Sequence, residues 1–534
     1  MNSNQNISAK ITDTLINLGC DSACISPGAR NSSIALNLSD KLSCYNILDE
    51  RSAGYIALGI AKYTNKPVIV NCTSGTALAN LFPSIIEARM SEIPMIILTA
   101  DRPKNLIDKG ENQTIYQKEI FGRYVLAFES IDSNSVNIED AIYTIYNKSI
   151  GLSDNRPVHE KGPVHINVHL DEPNESNNLT IDSINTDFKT ITPIDRNNSV
   201  QINKFQNPLI ICGQSNLKEY EDAIFKLSQK LNIPILADIS SNIESHTNNI
   251  LYYDTFIDNI KPDAIFRFGK KPLSKKLNTL IKNCANTYLV RNERLFNDDT
   301  KNLISYNQLS DFIDTKTVHL NSNWIESIKK QESIAISTID DLMTKNKSLN
   351  EYSLAYTFNN QIKSDTNIFI GNSIIIRAFN LLFNTYQRNI NIFSNRGASG
   401  IDGNIATAIG MTISSNVKNN YLILGDQSFM HDIGSLKNLK DLDINLKIIV
   451  VNNTGGGIFD YLPISNEDNI KSYKQFIRSD HNDTFKTIAK AYAINYKKVD
   501  SLSDCTMPSD DKPAIIELNI NRDKSLEIYK KIFT

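Results

Sequence analysis

The chain has 534 residues, too many for a single hydrophobic core, and at roughly 150 residues per domain it predicts about three domains. Hydrophobic residues make up 41% and charged residues 22%, which is typical of a folded globular protein. The formal net charge of -3 excludes the strong basic field with which proteins bind the phosphate backbone of nucleic acids.

Targeting signals, membrane spans and metal-binding spacings are not evident in the sequence. It shows neither a basic stretch followed by an apolar leader nor a run of about 18 apolar residues, so we expect a cytoplasmic protein without a membrane span. The seven cysteines form no CxxC pair and are expected to be reduced packing residues. His165 and His169 share a face of a predicted strand but stand too far apart to bind one zinc ion.

Short apolar runs alternate along the chain with stretches long enough for a helix, a pattern typical of parallel sheets with crossover helices. The first set of predicted strands is ACIS (23–26), VIVNC (68–72), MIILTA (95–100) and VHINVHL (164–170). The second set is PLIICG (208–213), PILADI (234–239), AIFRFG (264–269) and TYLVRN (287–292). The third set is NIFIGN (367–372), INIFSN (390–395), YLILGD (421–426), LKIIVVNN (446–453) and AIIELNI (514–520).

These sets predict an α/β protein with three doubly wound domains and mainly parallel sheets. Residues 171–207 are rich in Asn, Asp, Ser and Thr with weak periodicity, which is typical of a linker. Residues 324–345 are expected to form a connecting helix. The predicted domains are therefore 1–180, 200–340 and 350–534.

Two motifs directly follow predicted strands of the third set, GDQSFMHD (425–432) and VVNNTGGGIF (450–459). Ligands of open α/β sheets bind beyond the carboxyl ends of the strands, so both motifs lie where a phosphate site is expected. Asp426 offers a carboxylate, Asn453 an amide oxygen and Gly455 a backbone carbonyl, the hard oxygen ligands that Mg²⁺ prefers. The alternative interpretation is that both motifs are ordinary turns at strand ends.

An acidic residue precedes the predicted helix that leads to VIVNC and to the turn TSG (73–75). The order of Glu50, helix, strand and TSG resembles the pyrimidine-binding domain of thiamin-diphosphate enzymes, just as Asp426 and the NN pair resemble their diphosphate motif. The resemblance implies that the Glu50 carboxyl contacts the pyrimidine ring nitrogen, and burial would raise the pKa of that carboxyl. The alternative is an acid stabilised at a helix start by the macrodipole.

A closer match comes from motifs that occur together with NNTGGGIF: SPGARNS (26–32), LTADRP (98–103), GENQTIYQ (110–117), GNSIIIR (371–377) and SNRGASGIDG (394–403). The set resembles the 2-succinyl-5-enolpyruvyl-6-hydroxy-3-cyclohexene-1-carboxylate synthases of menaquinone biosynthesis. The resemblance implies pyrimidine and diphosphate domains flanking a middle domain, with thiamin diphosphate and Mg²⁺ or Mn²⁺ as cofactors. It implies a transferase that decarboxylates 2-oxoglutarate and adds the succinyl carbanion to isochorismate.

The same resemblance assigns roles to individual residues. The implied cofactor and metal residues are Glu50, Thr73, Ser74, Gly75, Gly425, Asp426, Ser428, Asn453 and Gly455. Those implied for isochorismate are Arg30, Arg102, Asn112, Gln113, Lys275 and Lys276, and Gln113 is also expected to act in catalysis. Those implied for the 2-oxo acid are Ser373, Arg377 and Arg396. Apolar contacts to the cofactor and the reacting carbons are implied for Ile401, Ile458, Phe459 and Leu462.

The resemblance further implies a homodimer or dimer of dimers in which Glu50 and Asp426 of different subunits meet. Two residues depart from the family pattern, Ala29 in place of a serine and Thr454 in place of an aspartate. Two alternatives stay open. One is another thiamin-diphosphate carboligase or decarboxylase that acts on acidic 2-oxo acids, and the other is a non-catalytic descendant of the fold.

Overall fold

The computed structural model describes residues 3–152, 160–172, 205–244, 246–291, 298–300, 302–304, 321, 323–362, 365–384, 389–466, 470–507 and 512–533. Most of the linker predicted at 171–207 lies outside these ranges. Three sheets occur in the described residues, and every strand pair in them is parallel. The predicted α/β class and its mainly parallel sheets are therefore confirmed.

The first sheet has six strands in the order β2-β1-β3-β4-β6-β5. Its strands are β1 (Ser22–Ile25), β2 (Ser43–Asn46), β3 (Val68–Cys72), β4 (Met95–Asp101), β5 (Phe128–Ile131) and β6 (Pro163–His169). Its helices are α1 (Ser3–Asn17), α2 (Ser32–Ser39), α3 (Glu50–Thr64), α4 (Ala77–Asn80), α5 (Phe82–Ser91) and α6 (Ile138–Ser149). The strands β3, β4 and β6 are buried along their whole length, as expected for the centre of a sheet covered on both faces.

The second sheet has five strands in the order β11-β10-β9-β7-β8. Its strands are β7 (Pro208–Cys212), β8 (Ile235–Ala237), β9 (Ala264–Phe268), β10 (Thr287–Val290) and β11 (Asn302–Ile304). The helices of this region are α7 (Glu221–Leu231), α8 (Lys275–Asn283) and α9 (Trp324–Lys345). The helix predicted at 324–345 is confirmed with those bounds.

The third sheet has six strands in the order β13-β12-β14-β15-β17-β16. Its strands are β12 (Thr366–Ile370), β13 (Ile390–Phe393), β14 (Asn419–Gly425), β15 (Lys447–Asn452), β16 (Asn495–Val499) and β17 (Ala514–Asn519). The accompanying helices are α10 (Glu351–Gln361), α11 (Ile374–Leu382), α12 (Asn404–Ile413), α13 (Asp426–His431), α14 (Lys437–Asp441), α15 (Ile470–Ser472), α16 (Lys486–Ala491) and α17 (Arg522–Phe533).

The chain divides into two compact units. The first unit contains the first sheet and consists of Met1–Ile194, Asn395–Asn416 and His431–Ile444. The second unit contains the other two sheets and consists of Asp195–Ser394, Val417–Met430 and Asn445–Thr534. The boundaries of the three predicted domains stay a prediction.

His165 and His169 contact different partners, and the cysteines form no disulfide with one another. The Nε2 atom of His165 lies 2.8 Å from the hydroxyl of Thr99, while His169 contacts the backbone oxygen of Arg102 instead. All seven cysteines are free thiols, and five of them are buried. Among the described residues, no helix is both long enough and apolar enough to cross a membrane.

Candidate active site

In the first unit, Glu50 is the first residue of α3, beyond the preceding Asp49. The Asp49 side chain accepts a hydrogen bond from the backbone N–H of Arg51 at 2.9 Å, so Asp49 and not Glu50 caps the helix. Burial raises the pKa of the Glu50 carboxyl, and the charge of Asp49 raises it further against the opposing effect of the backbone N–H of Glu50. A carboxyl with this shift holds a proton at a higher pH than an ordinary glutamate does.

The TSG turn follows β3 and is hydrogen-bonded to Gln113. The hydroxyl of Ser74 donates to the backbone oxygen of Gln113, and the Gln113 amide donates to the backbone oxygen of Ser74, both at 3.1 Å. Gly75 has φ +84, and its N–H donates to the side chain of Gln117 at 2.9 Å. Two residues predicted to serve the cofactor and one predicted for catalysis are therefore brought together, while Asn112 is exposed beside them.

Two arginines predicted for the acceptor meet at the carboxyl end of the first sheet. Arg30 follows β1 and Arg102 follows β4, and both guanidinium groups contact the same carboxylate oxygen, Oε1 of Glu172. The distances are 2.5 Å from Nη2 of Arg30 and 2.8 Å from Nη1 of Arg102. The hydrogen bond and charge of Arg30, with a smaller effect of Arg102, lower the pKa of the Glu172 carboxyl.

The loop that carries Arg396 and Ile401 also belongs to the first unit, where a buried glutamate holds it. The Glu87 carboxylate accepts from the backbone N–H groups of Gly397 at 2.9 Å and Ala398 at 2.6 Å. Ile401 is 47% exposed, which leaves an apolar surface at the position predicted to support the cofactor. Carboxylate contacts to consecutive backbone N–H groups fix the loop in one conformation.

In the second unit, Asp426 stands where β14 ends and α13 begins. One carboxylate oxygen accepts from the N–H of Gln427 at 2.6 Å, and the other accepts from the N–H of Gly455 at 3.0 Å. The Nε2 atom of His481 lies 3.2 Å from the latter oxygen. Burial raises the pKa of Asp426, and the N–H of Gly455 and the nearby His481 oppose that shift. Asp426 and Gly455, both predicted metal ligands, are thus in direct contact.

Asn453 follows β15, and its side-chain amide is held through its nitrogen atom. Its Nδ2 donates to the buried carboxylate of Glu351 at 3.1 Å. Its Oδ1 is buried and has no hydrogen-bond partner among the described residues. A buried acceptor without a partner is costly, and a cation at this point would satisfy it. The residues therefore fit a hard divalent ion with carboxylate, amide and backbone oxygen ligands.

The predicted metal ligands are not a cluster of acidic, histidine or cysteine side chains. Within the described ranges, no three His, Cys, Asp or Glu side chains are grouped so that they could hold a metal ion. Asp426 is the one carboxylate among the ligands predicted for this unit, and the others are the Asn453 amide oxygen and the Gly455 carbonyl. Gly455 has φ +143, a backbone conformation that glycine adopts readily.

The other predicted site residues of the second unit lie at the start of α11, after β15 and at the start of α8. Ser373 precedes α11 with φ +79, which is strained for a residue other than glycine, and its backbone oxygen accepts from Arg377 at 2.6 Å. Ile458 and Phe459 are partly buried, and Leu462 is 38% exposed. Lys275 and Lys276 begin α8 and are exposed, and Lys276 lies 3.3 Å from Asp258.

Two family models and a set of curated relatives match this chain. Residues 5–120 match the family model of the thiamine pyrophosphate enzyme N-terminal TPP binding domain, and residues 376–517 match that of the C-terminal TPP binding domain. A 2-succinyl-5-enolpyruvyl-6-hydroxy-3-cyclohexene-1-carboxylate synthase from Listeria innocua is 31% identical over 96% of this chain and 94% of its own length. Those from Psychromonas ingrahamii and Lactococcus lactis are each 30% identical, over 96% and 98% of this chain and 92% and 98% of their own lengths.

The chain belongs to the 2-succinyl-5-enolpyruvyl-6-hydroxy-3-cyclohexene-1-carboxylate synthase family. The structure also brings forward residues that the sequence did not single out. Glu87, Glu172, Glu351 and His481 contact predicted site residues directly. No motif spacing marks them, because each lies on a different element from the residue that it contacts. Only a buried acidic residue within an apolar helix, as at Glu87 in α5, gives any signal in the sequence.

Proposed function

We propose that this chain is a thiamin-diphosphate-dependent transferase that decarboxylates 2-oxoglutarate and adds the remaining succinyl unit to isochorismate. The product is 2-succinyl-5-enolpyruvyl-6-hydroxy-3-cyclohexene-1-carboxylate, with release of CO₂. The observation that carries the proposal is the 30–31% identity to synthases of that name over nearly the whole chain. The matches to both TPP binding domains support thiamin diphosphate as the cofactor.

The metal ion is proposed as Mg²⁺, or Mn²⁺ in its place, bound by the Asp426 carboxylate, Oδ1 of Asn453 and the carbonyl of Gly455. The unsatisfied Oδ1 of Asn453 supports this assignment, as does the direct contact between Asp426 and Gly455. The backbone N–H groups at Gly425–Ser428 lie at a strand end that suits a diphosphate. Thiamin diphosphate, when bound, supplies the electron sink for the loss of CO₂.

The chain's own residues then bind substrates and hold protons. Glu50 shares a proton with the ring nitrogen of the pyrimidine, which its raised pKa supports. Arg30, Arg102, Asn112, Gln113, Lys275 and Lys276 are assigned to the acceptor. Ser373, Arg377 and Arg396 are assigned to the 2-oxo acid, because arginine pairs with carboxylates through two hydrogen bonds and remains charged. Ile401, Ile458, Phe459 and Leu462 provide apolar contacts that exclude water from the reacting atoms.

The functional protein is proposed to be a homo-oligomer in the cytoplasm. The active sites are assigned to a subunit interface, where one chain supplies Glu50 and another supplies Asp426. The separation of these two residues into different compact units is compatible with that arrangement.

The proposal is tested by following isochorismate absorbance with the purified protein, thiamin diphosphate and Mg²⁺, after adding either 2-oxoglutarate or pyruvate. We expect rapid consumption with 2-oxoglutarate and at least about a hundredfold slower consumption with pyruvate, which lacks the distal carboxylate that an arginine binds. Faster consumption with pyruvate would contradict the donor assignment. CO₂ release from 2-oxoglutarate without loss of isochorismate would indicate another carboligase or decarboxylase.

A further inference from the structure

Glu172 forms ion pairs with Arg30 and Arg102 at the carboxyl end of the first sheet, and it is far more exposed than either arginine. The side chains of Arg30 and Arg102 are only 5% and 14% exposed, whereas the side chain of Glu172 is 75% exposed. The two guanidinium groups are therefore held within the protein, whereas the Glu172 carboxylate that contacts both is exposed to solvent. An ion pair with one solvent-exposed partner is weak and readily exchanged.

The arginines are positioned independently of Glu172. The Nη1 atom of Arg30 donates to the backbone oxygen of Leu170 at 3.1 Å. The backbone of Arg102 is held by the Asp101 carboxylate at 2.7 Å and by His169 at 2.6 Å. Within the part of the chain that the structure describes, the buried Nε of Arg102 has no hydrogen-bond partner. Glu172 therefore does not use every donor of the Arg102 guanidinium group.

A role for Glu172 goes beyond the proposed function. It rests on that function for the assignment of Arg30 and Arg102 to the acceptor. We infer that Glu172 is an internal competitor for the acceptor, whose carboxylate displaces the Glu172 carboxylate from the two arginines. Two buried guanidinium groups without a counter-ion are costly. Glu172 therefore keeps their charges paired in the absence of the acceptor, and only a ligand with its own carboxylate can replace it.

Two possible roles of Glu172 predict opposite effects of its removal on acceptor binding. If Glu172 remained on the arginines and aligned them for the acceptor, its removal would weaken acceptor binding. If Glu172 competes, loss of its charge strengthens binding, because the acceptor no longer has to displace a charged carboxylate from the two arginines. The sign of the change in the dissociation constant for the acceptor therefore separates the two roles.

The test is calorimetric titration of isochorismate into protein loaded with thiamin diphosphate and Mg²⁺, without any 2-oxo acid, so that binding is measured without turnover. Glu172→Gln removes the charge and keeps the shape of the side chain. The matched control is Asp171→Asn, which removes the same charge one residue away on an exposed side chain. Thermal melting of both variants checks that they fold.

We expect Glu172→Gln to lower the dissociation constant for isochorismate by about two- to fivefold, the range of a weak ion pair, and Asp171→Asn to leave it close to that of the wild type. Unchanged or weaker binding by Glu172→Gln overturns the inference, and so does an equal gain in Asp171→Asn, which would reduce the effect to net charge. If the wild type itself does not bind isochorismate, the proposed acceptor fails and the inference fails with it.

Discussion

The orientation of the Asn453 side-chain amide determines whether its oxygen atom can bind a divalent ion. An asparagine presents either its oxygen or its nitrogen to a cation, and only the oxygen can bind. Here the buried Glu351 carboxylate accepts from Nδ2 of Asn453 and thereby fixes Oδ1 on the other side. Glu351 is itself held by the hydroxyl of Ser525. Glu351 is thus a positioning residue for a proposed metal ligand.

Replacement of Glu351 by alanine is expected to weaken Mg²⁺ binding about tenfold or more, which is the usual effect of removing a residue that orients a metal ligand. Glu351→Gln is the matched variant, because its amide oxygen can still accept from Asn453, and it is expected to bind Mg²⁺ nearly as the wild type does. The measurement is a calorimetric titration with Mg²⁺ in the presence of thiamin diphosphate. Equal affinities in both variants would show that Glu351 does not orient Asn453.

Glu50→Gln is expected to retain thiamin diphosphate binding and to lose turnover by about 10²- to 10⁴-fold, because an amide cannot share a proton with the pyrimidine. The control is Asp49→Asn, since Asp49 caps the same helix and an asparagine caps equally well. The kcat of each variant and its cofactor affinity are measured side by side. Full turnover in Glu50→Gln would remove Glu50 from the proton transfer.

Contacts of the candidate site residues were predictable where a motif directly follows a strand, and not elsewhere. Asp426 and Gly455 follow neighbouring strands, so their contact follows from the parallel order of β14 and β15. Glu351, by contrast, lies 102 positions before Asn453 on a helix, and no local pattern connects the two residues. Glu172 likewise contacts Arg30 across 142 positions. Such pairs depend on tertiary packing, which a motif does not encode.

At the scale of elements, the sequence identified the central strands and missed four of the six strands at the edges of the described sheets. The four strands without a prediction are β2, β5, β11 and β16, and each is an outer strand of its sheet. Their residues are largely exposed or half-buried, as in β2 and β16. An edge strand buries less surface and needs fewer apolar residues, so the continuous apolar run that marks a central strand is missing.

The helices α3 and α12 of the first unit approach each other so closely that glycine is required at the crossing. A Cβ atom added at Gly59 would lie 2.1 Å from the backbone oxygen of Thr407, and one added at Gly410 would lie 2.0 Å from that of Ile56. Both contacts are with backbone atoms, which cannot move aside as a flexible side chain does. Because Glu50 begins α3, this packing also fixes the helix that carries the proposed catalytic carboxyl.

Gly59→Ala is therefore expected to destabilise the protein by about 1–3 kcal/mol through overpacking, although alanine favours helix formation. The matched control is Gly434→Ala, where an added Cβ would come no closer than 3.8 Å to Asp49. Thermal melting of the two variants gives the comparison. A Gly59→Ala protein that melts at or above the wild-type temperature would contradict the close approach of α3 and α12.

At the scale of the whole molecule, the proposed catalytic residues divide between the two compact units. Glu50, the TSG turn, Arg30 and Arg102 belong to the first unit. Asp426, Asn453 and Arg377 belong to the second. The oligomer that we propose takes Glu50 from one chain and Asp426 from another chain.

Mixing two inactive variants tests that assignment. Glu50→Gln and Asp426→Ala chains with different tags are co-expressed, and dimers that contain one chain of each are purified. If each active site takes Glu50 from one chain and Asp426 from the other, half of the sites in such a dimer are intact, and we expect about half of the wild-type activity. Mixed dimers no more active than either parent would place both residues in the same chain.

The central claim is that the chain forms a carbon–carbon bond between a decarboxylated 2-oxoglutarate and isochorismate. The most direct measurement is mass spectrometry of the products after incubation with thiamin diphosphate, Mg²⁺, isochorismate and 2-oxoglutarate labelled with ¹³C at the four carbons that are retained. We predict a product that carries all four labelled carbons and forms only when both substrates are present. Labelled succinic semialdehyde as the sole product, or no labelled product, would contradict the claim.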